Sequence, residues 1–295
     1  MDPSSNWIKV TVGMCVKNSE LTIGKAVQSV LIQDFPHDSM EIVVVDGSST
    51  DCTLEIISKS LATSDISARF LSENEGLGKA RQLVVDNAQG KYIVWVDGDM
   101  ILSKSFVAKQ VEFMEKNPRV GIAKGKYQAC PCGDDVSTTA ILENVEFMLE
   151  TSHAGEKLSN VLATSGCIYR TEAVRRAGGF DPQISGVGED LDAENRVRRD
   201  GWLLHVTNAP FYETRRTTWR SLWNEYFWHG KGGRLVFNKD PHLLRLHRMI
   251  PPVALVAELF RVPAAYKLTH RKIVLMLPLH YAFKRVAWVL GFIRA

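Results

Sequence analysis

Four short apolar runs alternate with stretches of helical spacing in the first third of this chain, and that alternation leaves few folds open. The runs are Lys9–Val16, Glu41–Val45, Ala68–Leu71 and Tyr92–Val96, the last of them especially rich in β-branched and aromatic residues. Such runs read as buried strands. Between the first two, Ile23, Ala26, Val27, Val30 and Leu31 recur at helical spacing, with Asn18 or Ser19 expected as the cap. Between the second and third, Leu54, Ile56, Ile57 and Leu61 do the same, with Thr50 or Asp51 as the cap. Repeated strand–helix units with short connections predict an α/β fold with a mostly parallel, Rossmann-like sheet covered by helices.

The strand ends carry the chemistry. The fourth run stops at Asp97-Gly98-Asp99, which delivers two carboxylates to a sheet edge, where open α/β folds place ligands. Two adjacent like charges are costly unless a cation holds them. Hard oxygen ligands suit Mg²⁺ or Mn²⁺, ions that commonly arrive with phosphates. A solvated Asp-Gly turn is the alternative reading of the same residues. The second strand ends at Asp46, and the third runs into Asn74-Glu75-Gly76-Leu77-Gly78-Lys79-Ala80-Arg81. A carboxylate, a basic pair and an acidic pair are the parts needed for a base, a diphosphate and its metal. The Gly76-Leu77-Gly78 stretch lacks the full glycine fingerprint of dinucleotide binders.

In order and spacing, these segments resemble the motifs of the family 2 nucleotide-sugar glycosyltransferases, inverting enzymes of the GT-A fold. The matching residues are Val16-Lys17-Asn18-Ser19-Glu20, Val44 to Asp51, Asn74 to Arg81 and Val96-Asp97-Gly98-Asp99. Thr164 to Arg170, Gly178-Gly179-Phe180-Asp181 and Glu189-Asp190 continue the likeness, which covers about residues 8–213. The resemblance implies a UDP- or GDP-linked sugar as donor. It places Asp46 at the nucleotide base and Asp97 near ribose and metal, with Gly98 between the aspartates. Asp99 would be the main ligand of the Mg²⁺ or Mn²⁺ that bridges the diphosphate. Val16, Lys17, Glu20, Lys79 and Arg81 are carried over to the donor pocket, and Gly166 and Glu189 to the acceptor side. Many relatives have a histidine near the end of a later core strand. This chain instead reads Pro210-Phe211-Tyr212-Glu213-Thr214-Arg215-Arg216, so Glu213 or an arginine is left for part of that task.

By the same resemblance, Asp190 is the general base. A hydroxyl attacking an anomeric carbon must lose its proton, and a positioned carboxylate can take it. Acidic residues in the first turn of a helix are also explained by the helix dipole alone, so plain capping is the competing account of Glu189-Asp190-Leu191-Asp192. Gly186-Val187-Gly188 reads as a mobile lead-in able to close over substrate.

Charge divides the chain. From Thr214 onward there are 15 Lys/Arg against 3 Asp/Glu, whereas the first 213 residues hold 21 against 30. The expected division is therefore a catalytic domain, 1–213, and a basic amphipathic helical extension, 214–295. In that extension, Trp219, Trp223, Tyr226 and Phe227 follow helical spacing, Trp228 is assigned to the acceptor side, and the glycines from Gly230 are expected to end the helix. The segment loosely resembles bacterial and archaeal enzymes that build lipid-linked polysaccharide. Apolar runs at Ile250–Val256, Ile273–Leu279 and Val286–Ile293 favour an anionic membrane surface over nucleic acid as partner. None alone reaches the roughly 20 residues of a span. The last two joined across Lys284-Arg285 could span, against the cost of two charges.

Five cysteines, with Cys130-Pro131-Cys132 the one C-x-C pair, predict neither a disulfide framework nor structural zinc. With a short polar start rather than a cleavable signal, the expected location is the cytoplasmic face of the cell membrane, held peripherally. The expected function is transfer of a sugar to a hydroxyl of a lipid-linked glycan. A polyprenyl-phosphate sugar synthase and a non-catalytic nucleotide-binding module are the alternatives.

Overall fold

The computed structural model describes residues 7–128, 137–150, 162–244 and 246–295. The Cys130/Cys132 pair and the first six residues lie outside them. In chain order the elements begin β1 (Val10–Val16), α1 (Ile23–Leu31), β2 (Met40–Asp46), α2 (Thr53–Leu61), β3 (Ser67–Ser72), α3 (Leu77–Asn87) and β4 (Tyr92–Trp95). There follow β5 (Met100–Leu102), α4 (Phe106–Lys116), β6 (Val120–Tyr127), α5 (Thr138–Glu150), β7 (Cys167–Arg170), α6 (Thr171–Arg176), α7 (Glu189–Arg199) and β8 (Leu203–Glu213). Helices α8 (Trp219–Lys239), α9 (Pro251–Leu259), α10 (Val262–Thr269) and α11 (Leu277–Ile293) complete the chain.

The first compact unit contains all eight strands, in the order β3-β2-β1-β4-β7-β6-β8-β5. Strands β1 to β4 pair in parallel, as the strand–helix alternation predicts. Beyond β4 the sheet is mixed: β7 runs antiparallel to both β4 and β6, and β5 antiparallel to β8, while β6 and β8 are parallel. Helices still separate β5, β6, β7 and β8 along the chain, so strand–helix alternation does not by itself fix the directions of these strands. Its core is built on Trp95, whose ring meets Tyr169 and Phe180 edge-on at 6.1 and 5.4 Å. Those orientations suit the quadrupoles of the rings.

Two cap expectations change. The N-cap of α1 is Thr22, without a side-chain cap. Asn18 is used elsewhere, accepting the Thr50 N–H at 2.9 Å, and the Ser19 carbonyl accepts from Ile23 at 2.9 Å. The N-cap of α2 is Cys52 rather than Thr50 or Asp51, and Asp51 just before it accepts from the N–H and hydroxyl of Thr53 at 3.0 and 2.6 Å.

The second unit holds residues 214–295, α5 and Gly186–Gly188. Helix α8 does not stop at its glycines; it runs through Gly230, Gly232 and Gly233 to Lys239. Their role is close approach. A Cβ on Gly230 would strike the backbone of α11 at Trp288, and one on Gly291 would strike the backbone of α8 at Phe227. The cost of glycine inside a helix, about 1 kcal/mol, is offset by the packing that two bare backbones allow. The Val187 backbone likewise passes so close to Gly232 that a Cβ there would strike its carbonyl oxygen. The lead-in expected to be mobile is thus laid against α8.

Lys272–Ile293 is long and apolar enough to cross a membrane by length and composition, the one such helix among the described residues. Lys284 within it is fully buried. Its ammonium donates to Glu143 at 2.6 Å and to Glu146, both on α5. His280 is buried beside the same carboxylates, 3.5 Å from Glu143. The ammonium already lies where a cation between those acids would sit. Breaking a buried ion pair from one side leaves its partners' charge uncompensated. Lys284→Met is therefore expected to cost about 3–5 kcal/mol of stability by urea unfolding. The triple change Lys284→Met, Glu143→Gln, Glu146→Gln should recover most of it, because no unpaired charge then remains.

Candidate active site

Strands β2 and β4 flank β1, so the order 3-2-1-4 reverses direction at β1, and all three strands end at one sheet edge. A reversal of strand order opens a crevice at the carboxyl ends of the strands, where open α/β sheets bind ligands. Asp46 pairs in register with Val16 at this edge, and the Val96 N–H is held by the Gly13 carbonyl just before Asp97.

The β1 and β2 tips are laced together. Gly47 donates to the Val16 carbonyl at 2.8 Å, Ser19 to the Thr53 hydroxyl at 2.7 Å and Asn18 to the Ser49 hydroxyl at 3.0 Å. Asn18 and Ser48 adopt left-handed backbone, at φ 48° and 62°. Non-glycine residues in that region cost of order 1–3 kcal/mol and gather at ligand-binding loops. On the other side of β1, Gly98 lies against Ser19. A Cβ at 98 would sit 2.8 Å from the serine oxygen, so any larger residue would push the aspartate loop off the β1 tip.

Asp46 is buried, with one carboxylate oxygen accepting the Ser49 N–H at 3.0 Å and the other without a partner. A buried acceptor left unsatisfied is costly unless a ligand donor completes it, as the N–H groups of a nucleobase can. Asp97 retains 33% side-chain exposure at the open edge. Burial pushes its carboxyl above the usual range; Arg81 and Lys124 oppose that, and the charges of Glu213 and Asp190 add to it. Glu213 comes close because β5 pairs with β8 and places it opposite Met100, next to Asp99. A crowd of hard carboxylate oxygens is chemistry that suits a small divalent cation, which Asp97 and Asp99 could hold.

Helix α7 begins at Glu189, as the acidic run predicts, and Gly201 ends it with φ 91°. Asp190 is half-buried, with one oxygen accepting the Leu191 N–H at 2.7 Å. Asp192 is engaged by Arg196 at 2.7 Å and serves the helix. One turn beyond Asp190, Glu194 is buried and accepts the Leu162 N–H at 2.8 Å. Burial, and after it the charge of Asp190, raises its pKa to about 8. An unfolded glutamate titrates near 4.5, so between those values the folded protein holds a proton that the unfolded chain releases. Stability must then fall as pH rises from about 4.5 to 8, by at most about 1.4 kcal/mol per pH unit, and level off above. Glu194→Gln should flatten that slope in urea unfolding at pH 5, 6, 7 and 8.

Other expected site residues are placed as follows. Lys17 is exposed and Lys79 half-exposed at the ligand edge. The Glu20 carboxylate accepts the Cys52 N–H at 3.1 Å and so braces the β1–β2 tips. The Val16 side chain is in the core. Gly166 is buried in the turn before β7, at φ 66°, against Phe211. Trp228 belongs to the second unit and is exposed on α8. Two placements depart from expectation. Arg81, carried over to the donor pocket, is enclosed and ion-paired with Glu189 and Asp97. Glu189, carried over to the acceptor side, is buried by that pairing.

Lys124 and Glu194 were not singled out by the sequence. Lys124 is one of two lysines in β6, and its buried ammonium reaches the Leu162 carbonyl. Glu194 was findable, since it lies four residues after Asp190 and thus on the same helix face.

Comparison with known proteins bears on the family and the fold. The model of "Glycosyl transferase family 2" matches residues 11–178. Poly(ribitol-phosphate) beta-N-acetylglucosaminyltransferase TarS of Staphylococcus aureus is 32% identical over 111 residues, 37% of this chain and 19% of TarS. Poly-beta-1,6-N-acetyl-D-glucosamine synthase of Staphylococcus epidermidis is 22% identical over 236 residues, 77% of this chain and 54% of the synthase. The chain thus spans less than two thirds of the length of these relatives. Among solved structures, mannosyltransferase PcManGT from Pyrobaculum calidifontis, in complex with GDP-Man and Mn²⁺, superposes with a TM-score of 0.66 at 17% identity. That superposition covers 97% of this chain and 86% of PcManGT. S. aureus TarS 1-349 in complex with UDP-GlcNAc gives 0.55 at 18% identity, covering 96% and 90%. At these identities the likeness shows the shared fold, a GT-A-like α/β sheet.

Proposed function

The chain belongs to glycosyl transferase family 2, and from that premise we propose that it moves a sugar from a UDP- or GDP-linked donor to a hydroxyl of a membrane- or lipid-linked glycan, with inversion. The observation that carries this reading is the edge where strand order reverses. It sets the half-satisfied Asp46 on one side of β1 and the Asp97/Asp99 pair, crowded by Glu213, on the other. Asp46 would take the base, and Lys17 and Lys79 would meet the diphosphate. Asp99 and Asp97 would hold a Mg²⁺ or Mn²⁺, which when bound offsets the charge growing on the departing diphosphate. Asp190, at the N-terminus of α7, would take the acceptor proton. The helix dipole favours its ionised form, which a base requires. Buried Glu194 holds a proton at neutral pH and so spares Asp190 a second negative neighbour.

Thermal-shift measurement against UDP-, GDP- and dTDP-sugars with Mn²⁺ tests this reading. A ligand that binds only the folded state raises its apparent stability by mass action. One nucleotide class should stand out, and a flat response across all three would overturn the proposal.

The second unit supports peripheral docking on the anionic, cytoplasmic leaflet. Val253, Val256, Leu259 and Phe260 are exposed on and just after α9, Phe260 at 81%. Arg261, Lys267, Arg271 and Lys272 follow within twelve residues of Phe260. Apolar side chains entering the acyl boundary beside cations at lipid phosphates give an interfacial helix its affinity. Phe260→Asp in the full-length protein should weaken binding to phosphatidylserine vesicles several-fold in a flotation assay, without altering donor affinity.

A further inference from the structure

We infer that Arg81 is a positioning residue whose guanidinium, shared between Asp97 and Glu189, ties the metal-binding end of β4 to the start of α7 and so fixes Asp190 relative to the donor. The inference rests on the proposed transferase reading, and it departs from the expectation that Arg81 lines the donor pocket.

The geometry leaves Arg81 little freedom to do otherwise. It lies on α3, is 5% exposed, and its guanidinium packs over the rings of Trp95 and Phe180, 5.8 and 6.0 Å from their centroids. One terminal nitrogen pairs with Glu189, and the other is 3.6 Å from Asp97. Glu189 is 1% exposed, and no partner other than Arg81 is found for its carboxylate among the described residues. The next residue is Asp190. Helix α3 is itself docked beneath the approach to α7, through the Leu77 N–H to the Ser185 carbonyl at 3.0 Å. The catalytic carboxylate and the metal-binding loop, almost a hundred residues apart in sequence, are thus joined through one side chain.

Stability alone is a poor reason for such a pair, since buried ion pairs often do no better than well-packed apolar side chains of similar volume. A planar fork with five donors can, however, hold two carboxylates at set angles, which a lysine cannot. The two contacts also differ in kind. Glu189 is sealed, whereas Asp97 opens to the ligand edge. A divalent cation drawing on Asp97 competes with Arg81 for that carboxylate, and Glu189 is what holds the guanidinium back. Coupling of this sort is reciprocal, so what shifts Arg81 changes metal affinity and the placement of Asp190 together.

The test uses the full-length protein with Mn²⁺ and UDP, and separately Mn²⁺ and GDP, as calorimetric probes, alongside kcat, KM and thermal stability. Glu189→Gln removes a charge that touches no ligand and leaves the whole guanidinium to Asp97. It should weaken Mn²⁺–nucleotide binding roughly fivefold or more, the low end of typical site–site coupling. It should also lower kcat at saturating donor. The double change Arg81→Met, Glu189→Met should restore thermal stability without restoring kcat. If Glu189→Gln does not fold, Arg81→Lys carries the same readouts. Unchanged Mn²⁺–nucleotide affinity and kcat beside a lowered melting temperature would make the pair merely structural and overturn the inference. Wild-type protein that binds neither nucleotide with Mn²⁺ would overturn the transferase reading itself, and the bridge with it.

Discussion

Asp190→Asn is expected to lower transfer by about 10²–10⁴-fold while leaving donor binding intact. Asparagine keeps the shape of the side chain and its contact with the Leu191 N–H, so α7 should be undisturbed. What it loses is the ability to accept a proton from the attacking hydroxyl. Single-turnover rates with the donor identified by thermal shift, beside calorimetric donor affinity, separate the two effects. Loss of donor binding in this variant would move Asp190 from the base to the donor pocket. An unchanged rate would point to an acceptor that is already ionised, such as a polyprenyl phosphate, which needs no base.

Asp99→Asn should abolish the dependence of donor binding on Mn²⁺ and lower turnover by about 10²-fold or more. Metal stabilisation of a departing diphosphate amounts to several kcal/mol, and each 1.36 kcal/mol is a factor of ten in rate. Chelation of wild-type protein with EDTA should reproduce the effect, and added Mn²⁺ should reverse it there but not in the variant. The protein itself should remain folded, because Asp99 is half-exposed at the sheet edge rather than in the core. A variant with full Mn²⁺-stimulated activity would exclude Asp99 as a ligand.

The parts legible in the sequence were those set by short-range pattern. The β1, β2 and β4 strands were readable from apolar runs, because a buried strand needs only four to eight apolar residues and a turn to end it. The residues at their tips followed directly, since parallel strands joined by helices all end on one edge. Helix α7 and its acidic first turn were readable for the same local reason. Helix α8 was not. Its glycines signal a break when judged by propensity alone, and only the crossing with α11 turns them into a packing surface.

The apolar runs and the order of the motifs within this chain are enough to determine a glycosyltransferase-like sheet with acidic residues at its ligand-binding edge, because strand, helix and turn are specified within a few residues of one another. Which side chains face a ligand and which face one another was decided only by tertiary structure. Arg81 and Glu189 each read as ligand-binding groups on their own, yet they neutralise each other out of water's reach. Lys284 reads as a charge stranded in an apolar helix until two glutamates from α5 enclose it. Compensation of a buried charge depends on distance in space, and residues as far apart in sequence as 81 and 189, or 143 and 284, carry no local mark of it.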